Sequence, residues 1–62
     1  MKQPIRSLVE LASILEKESH YKLYYLHAEK YFFVDARHIK RKQILLIEAE
    51  IKQKQIFYEQ IH

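Results

Sequence analysis

The 62-residue sequence contains no glycine and no cysteine, and its only proline is Pro4. Without cysteine the chain can form neither disulfides nor cysteine-ligated zinc or iron–sulfur sites, and it has no thiol nucleophile. Without glycine it lacks the phosphate-binding loops, the dinucleotide fingerprint and the nucleophile elbow on which many enzymes are built. These absences exclude most catalytic templates, so we expect a protein that is not an enzyme.

Asparagine and threonine are missing as well, so few residues favour a change of chain direction. The remaining candidates are Pro4, Ser7, Ser13, Ser19 and Asp35. Tight turns need residues that tolerate positive φ or that hydrogen-bond locally to the backbone. The shortage therefore favours long helices over a sheet of several strands. The length predicts a single domain over 1–62 with a thin core, because a chain of about 60 residues buries only about 60% of its unfolded surface.

Long hydrophobic runs are also lacking. The longest cover 31–34 and 44–47, whereas a membrane helix needs about 20 apolar residues. Glu10 interrupts the apolar stretch near the N-terminus, and no small-residue cleavage site follows it, unlike in a secretory signal. We therefore expect a cytoplasmic protein that has no membrane association and no small-molecule substrate.

Two signals predict an N-terminal helix. Ser7 and Glu10 have the spacing of a capping box. Apolar residues then recur at helical spacing, with Ile14 widening the stripe: Leu8, Leu11 or Ala12, and Leu15. The pattern leaves open whether this helix breaks near Ser19 or continues as one long helix.

Residues 21–34 carry conflicting signals. Their tyrosines, phenylalanines and valine favour a strand, whereas Leu26, Ala28 and Glu29 are good helix formers. A hairpin turn through 27–30 would lack the glycine or asparagine that tight hairpins prefer. We therefore predict a helix here, with a β-hairpin as the alternative.

Asp35 is placed to cap a C-terminal helix that runs from about 36 to 61. An apolar seam with alternating spacings of three and four residues supports this helix, with Lys54 as its one polar member: Ile44, Ile47, Ile51, Tyr58 and Ile61. Such a helix would be about 39 Å long, and one short chain cannot cover all its faces. We expect the seam to mediate self-association. The predicted fold is all-α, a helical hairpin or a three-helix arrangement with a long C-terminal helix, assembling as a dimeric bundle.

The formal net charge of +3 comes from one basic cluster within 37–42, a segment that contains no acid: Arg37, Lys40, Arg41 and Lys42. Cations are disfavoured at a helix N-terminus, so the cluster indicates an acidic partner, either a protein surface or a nucleic acid. The other interpretation is a solvated face that keeps the protein soluble. Five aromatic residues within 24–33 precede this cluster, and we expect most of them in the core and one or two exposed as anchors for a partner: Tyr24, Tyr25, Tyr31, Phe32 and Phe33.

The polar residues predict neither a metal site nor a cofactor site. The four histidines lack metal-ligand spacing: His20, His27, His38 and His62. Glutamates that are two residues apart, as at 16 and 18, face different ways in a helix and do not form an acid–base pair. We therefore expect no metal, no cofactor and no catalytic residue.

Within 29–52 the sequence contains Glu29-Lys30-Tyr31-Phe32, then Ile39 and Arg41, and then Ile44-Leu45-Leu46-Ile47-Glu48-Ala49-Glu50-Ile51-Lys52. These segments resemble the sporulation inhibitor Sda family of spore-forming bacteria. The resemblance implies a helical hairpin that binds the dimerisation and phosphotransfer helices of a sporulation histidine kinase and blocks its reactions. The implied partner-binding residues are Tyr31, Phe32, Ile39, Arg41 and Gln43. In the family an aromatic residue occupies the place of Gln43.

Three functional hypotheses follow. The leading one is a small, homodimeric regulatory protein that inhibits or antagonises a larger protein by direct contact. The alternative is a small basic transcriptional regulator that binds nucleic acid through the basic cluster. A structural subunit of a larger assembly is a third hypothesis, which sequence alone does not separate from the first.

Overall fold

The computed structural model describes residues 1–39 and 42–61 and shows an α+β domain. The elements in chain order are β1 (Gln3–Pro4), α1 (Leu8–Glu16), a 3₁₀ turn (Glu18–His20), β2 (Tyr21–His27), β3 (Lys30–Val34), α2 (Ala36–Ile39), α3 (Ile44–Lys52) and β4 (Ile56–Gln60). The four strands form one antiparallel sheet. The all-α prediction, in its helical-hairpin form and in its three-helix form, is therefore wrong.

The sheet joins the two ends of the chain. Its strand order is β1-β4-β2-β3, so the last strand lies between the first and the second. The amide of Ile5 donates a hydrogen bond to the carbonyl of Ile56 at 2.9 Å, just beyond β1. Pro4 occupies the edge strand, where a residue without an N–H is tolerated.

The helix predicted over 21–34 is absent, and the alternative hairpin is present. Its two central turn residues, Ala28 and Glu29, have φ values of 50° and 64°. A two-residue hairpin turn of type I′ requires positive φ at both positions. Each non-glycine residue in this region costs about 1–2 kcal/mol. The ladder that pairs β2 with β3, from Leu23–Val34 to His27–Lys30, offsets this cost.

The long helix predicted over 36–61 is replaced by α2, α3 and β4. Its starting point is confirmed, because Asp35 Oδ1 accepts a hydrogen bond from the amide of Arg37 at 2.8 Å and so caps α2. Its length is wrong, because α2 ends at Ile39 and the C-terminal residues form a strand. The predicted seam therefore does not lie along one helix.

α3 ends without a glycine. Lys54 has a φ of 57°, in the left-handed region. Its amide donates to the carbonyl of Ile51 at 3.0 Å, and the amide of Gln55 donates to the carbonyl of Glu50 at 2.9 Å. These two bonds make a Schellman motif, which satisfies the last carbonyls of the helix and reverses the chain toward β4.

The core lies between the helices and one face of the sheet. In the described residues it consists of one cluster of buried aliphatic side chains: Ile5, Leu11, Ile14, Leu23, Ile39, Ile47, Ile51 and Ile56. The predicted N-terminal helix is confirmed as α1, with Ser7 Oγ accepting a hydrogen bond from the amide of Glu10 at 3.1 Å. This cap starts α1 in the register that buries Leu11 and Ile14.

Candidate binding surfaces

The face of the sheet that points away from the helices carries aromatic side chains. Side chains alternate along a strand, so Tyr24 points away from the core while its neighbour Leu23 points into it. The ladder places Phe33 and Phe57 directly beside Tyr24. Tyr31 shares this face, because it lies two residues before Phe33 on β3. We name Tyr24, Tyr31, Phe33 and Phe57 the aromatic face.

The rings of the aromatic face contact one another edge to face. Tyr31 lies 5.3 Å from Phe57, and Tyr24 lies 6.4 Å from Tyr31 and 6.3 Å from Phe33, measured between ring centroids. Such pairs contribute about 0.5–1.5 kcal/mol beyond the burial of their area. Tyr24 and Phe57 are half-buried, whereas Phe33 is 68% and Tyr31 45% exposed. Two large rings therefore remain open to a ligand.

A lysine extends over the aromatic face. The Nζ atom of Lys2 lies 4.6 Å from the ring centroid of Tyr24 and 5.0 Å from that of Tyr31. Both distances lie within the range of cation–π attraction, which is about 6 Å. This contact positions one positive charge directly beside the exposed ring of Tyr31.

Glu59 provides a carboxylate at the border of the aromatic face. Its Oε2 lies 3.3 Å from the Met1 amine, and its Oε1 accepts a hydrogen bond from the Tyr24 hydroxyl at 3.3 Å. The hydrogen bond from the amine is the main cause that lowers the pKa of Glu59. Burial, followed by the Glu59 charge, raises the pKa of Tyr24. Lys22 lies opposite Glu59 in the ladder, so Lys2, Lys22 and the amine together outweigh this carboxylate.

A second exposed apolar surface lies at the start of α3. We name Ile44, Leu45 and Leu46 the α3 patch; they are 68%, 76% and 57% exposed. The next turns of the same helix are anchored in the core by Ile47 and Ile51. Three consecutive exposed aliphatic residues on a folded domain are typical of a contact surface.

The predicted basic cluster is partly neutralised. Arg37 Nη2 lies 3.0 Å from Asp35 Oδ2, and the hydrogen bond from the Arg37 side chain is the main cause that lowers the pKa of Asp35. Lys42 Nζ lies 3.1 Å from Glu50 Oε1. The other two members of the cluster lie outside the described residues: Lys40 and Arg41. Arg37 and Lys42, the two described cations of the cluster, are thus each paired with an acidic residue of the same chain.

The structure does not bring together the partner-binding residues implied by the resemblance. Tyr31 and Phe32 point to opposite faces of β3. Ile39 is only 3% exposed and belongs to the core, so its side chain is closed to a partner in this fold. Gln43 is exposed just before α3, and Arg41 lies outside the described residues. The helical hairpin that would align these residues is replaced by a strand and two short helices.

The predicted self-association seam is divided in the same way. Ile47 and Ile51 are core residues, and Tyr58 packs against the core from β4. Ile44 and Ile61 remain exposed. A single helical stripe made of these five residues is therefore wrong, and only Ile44 belongs to the α3 patch.

A cleft of about 360 Å³ opens beside β2 and α2, but Asp35 and Arg37 in its wall are bonded to each other. Residues 1–39 and 42–61 contain no group of three histidine, aspartate or glutamate side chains that could hold a metal ion. Within the same ranges no helix combines the length and the apolar character needed to span a membrane.

Comparison with known proteins found no matching family model, no matching curated protein and no matching solved structure. The candidate surfaces are therefore interpreted from their own residues. Of the two, the aromatic face combines π surfaces with positive charge, whereas the α3 patch is purely aliphatic.

Proposed function

We propose that this chain is a small non-enzymatic regulatory protein that binds a larger protein through the α3 patch. One observation carries the proposal: Ile44, Leu45 and Leu46 are consecutive and mostly exposed. Burial of apolar surface is favourable by roughly 25 cal/mol per Å², and the fold does not bury these three side chains. A partner that covers the patch would bury them and gain this free energy on binding.

The surroundings of the patch support a protein as its partner. Aliphatic side chains fill apolar grooves but offer neither a π face nor a charge to a nucleobase or a phosphate. The exposed polar residues Gln43 and Glu48 border the patch along α3, as the polar rim of an interface borders its apolar centre. A helix turn that inserts aliphatic residues into a groove is a recurrent mode of protein recognition.

The test compares two apolar-to-acidic variants used as bait in the native host. Leu45→Glu places a charge in the α3 patch, whereas Val9→Glu, the control, changes an exposed apolar residue of α1. We expect one stoichiometric partner with the wild type and with Val9→Glu, and its loss with Leu45→Glu. The partner is then purified, and its affinity for all three chains is measured by calorimetry.

Two results would overturn this proposal. In the first, Leu45→Glu binds the purified partner as tightly as the wild type does. In the second, sedimentation shows that the wild type forms a dimer that Leu45→Glu dissociates, because the patch would then serve the homodimer expected from the sequence. Urea unfolding followed by circular dichroism is the folding control. Both variants should unfold at the same urea concentration as the wild type, because the substitutions affect only the surface.

A further inference from the structure

We infer that the aromatic face is a binding site for single-stranded nucleic acid, distinct from the α3 patch. The rings come from three neighbouring strands, β4, β2 and β3. Adjacent strands lie about 4.8 Å apart, so the rings extend over about 10 Å. Four-stranded antiparallel sheets that stack two or three bases on surface aromatics are a recurrent solution for binding single strands. The exposed rings of Tyr31 and Phe33 offer this kind of platform.

The charge of the face fits a polyanion. Lys2 lies over the rings, and Lys22 and the Met1 amine add positive charge near the carboxylate of Glu59. The chain as a whole carries a formal net charge of +3, which attracts phosphates over longer distances. Positive charge beside aromatic rings is the combination that binds a strand through its phosphates and its bases together.

The size of the face suits two or three bases. Its four rings come from three neighbouring strands, and each exposed ring contributes stacking energy of its own.

The experiment measures binding of a fluorescein-labelled oligothymidylate of about 12 nucleotides, a length within the range of known single-strand sites. Fluorescence anisotropy at low salt is expected to show saturable binding by the wild type. Phe33→Ala and Tyr31→Ala should each weaken binding by about fivefold to a hundredfold, since each removes one stacking ring. Lys2→Gln should reduce the slope of log affinity against log salt by about 0.7, the value for one phosphate contact on a single strand.

The matched control is Phe32→Ala. Phe32 is the neighbour of Phe33, is also largely exposed, and points to the opposite face of β3, so its loss should leave affinity unchanged. Circular dichroism and urea unfolding identify any variant that fails to fold. In that case Phe33→Leu, which keeps a large apolar side chain but removes the π face, replaces Phe33→Ala. Leu45→Glu should bind the oligonucleotide like the wild type, which separates this site from the α3 patch.

Three results would overturn the inference. The first is the absence of binding by the wild type at low salt. The second is equal loss in Phe32→Ala and Phe33→Ala, or no loss in either, because binding would then not use the aromatic face. The third is a wild-type dimer that Phe33→Ala dissociates, because the face would then be a protein interface.

Discussion

The two faces of the sheet differ in both side chains and surroundings. Toward the helices, Leu23 and Ile56 are almost completely buried among aliphatic neighbours. On the other face, Tyr31 and Phe33 are exposed beside a lysine. Both faces are built from the same strands, because successive side chains point to opposite sides. β2 and β4 therefore supply one surface for folding and a second surface that we assign to binding.

The contrast follows from the size of the chain. In the described residues, α1, α2 and α3 all contribute their buried residues to one cluster on the same side of the sheet. A domain of about 60 residues has enough sequence for one covering layer but not for two. Tyr31 and Phe33, which stay exposed on the uncovered side, contribute less to folding than buried residues do, which is why we assign them to binding.

The largest expected effect lies on the buried face. Leu23→Ala should lower the free energy of unfolding by about 2–5 kcal/mol, because it removes buried methyl groups and leaves a cavity at the centre of the sheet. Urea unfolding followed by circular dichroism measures the change. Lys22→Ala, the adjacent exposed position on the other face, should change stability by no more than about 0.5 kcal/mol. Equal effects at 22 and 23 would remove the distinction between the two faces.

A smaller effect is expected at the turn that brings β3 beside β2. Glu29→Gly should stabilise the chain by about 0.5–1 kcal/mol, because relief of the positive φ exceeds the greater flexibility that glycine gives the unfolded chain. The matched control is Glu48→Gly on the exposed side of α3, which should destabilise by about 1 kcal/mol. A loss of stability in Glu29→Gly would contradict the hairpin, and with it the aromatic face.

The smallest effect concerns the carboxylate at the border of the aromatic face. The pKa of Glu59 lies below its usual value of 4.5, chiefly because of the hydrogen bond from the Met1 amine. A lowered pKa means that Glu59 contributes stability above that usual value and that this contribution disappears as the pH falls through the pKa of the folded state. Glu59→Gln should therefore lose less stability than the wild type below pH 4.5. If the melting temperatures of the two proteins fall by the same amount as the pH falls, the contact between Glu59 and the Met1 amine is contradicted.

Part of the fold was predictable because its signals are local. Ser7 and Glu10 identify the start of α1, and Asp35 identifies the start of α2. The hairpin and the end of α3 were not predictable in this way, because Ala28, Glu29 and Lys54 adopt positive φ without being glycine or asparagine. The β2–β3 ladder compensates for the hairpin turn. The long-range pairing of β4 with β1 and β2 compensates for the end of α3, and no local pattern reports that pairing.

The candidate surfaces were predictable only in part. One or two aromatic rings were expected to remain exposed as anchors for a partner. Tyr31, Phe32 and Phe33 are exposed, and their role as anchors stays a prediction. Because these rings were assigned mainly to a helical core, the aromatic face was not predicted. The two-residue spacing of Tyr31 and Phe33, which is typical of one face of a strand, could have indicated it. The sequence also showed that the C-terminal segment has more apolar residues than one short chain can cover. Placing them on one seam required a continuous helix, but the helix ends before Lys54 because this residue adopts a positive φ.

The most direct test of the account is the unfolding free energy of Phe33→Ala, measured with urea at low protein concentration. If the uncovered face serves binding, this variant loses the edge-to-face contact with Tyr24 and the strand propensity of phenylalanine, and the cost stays below about 2.5 kcal/mol. A cost of about 3–5 kcal/mol, as for a buried phenylalanine, would show that the ring is needed for folding and would contradict the division of the sheet into two faces.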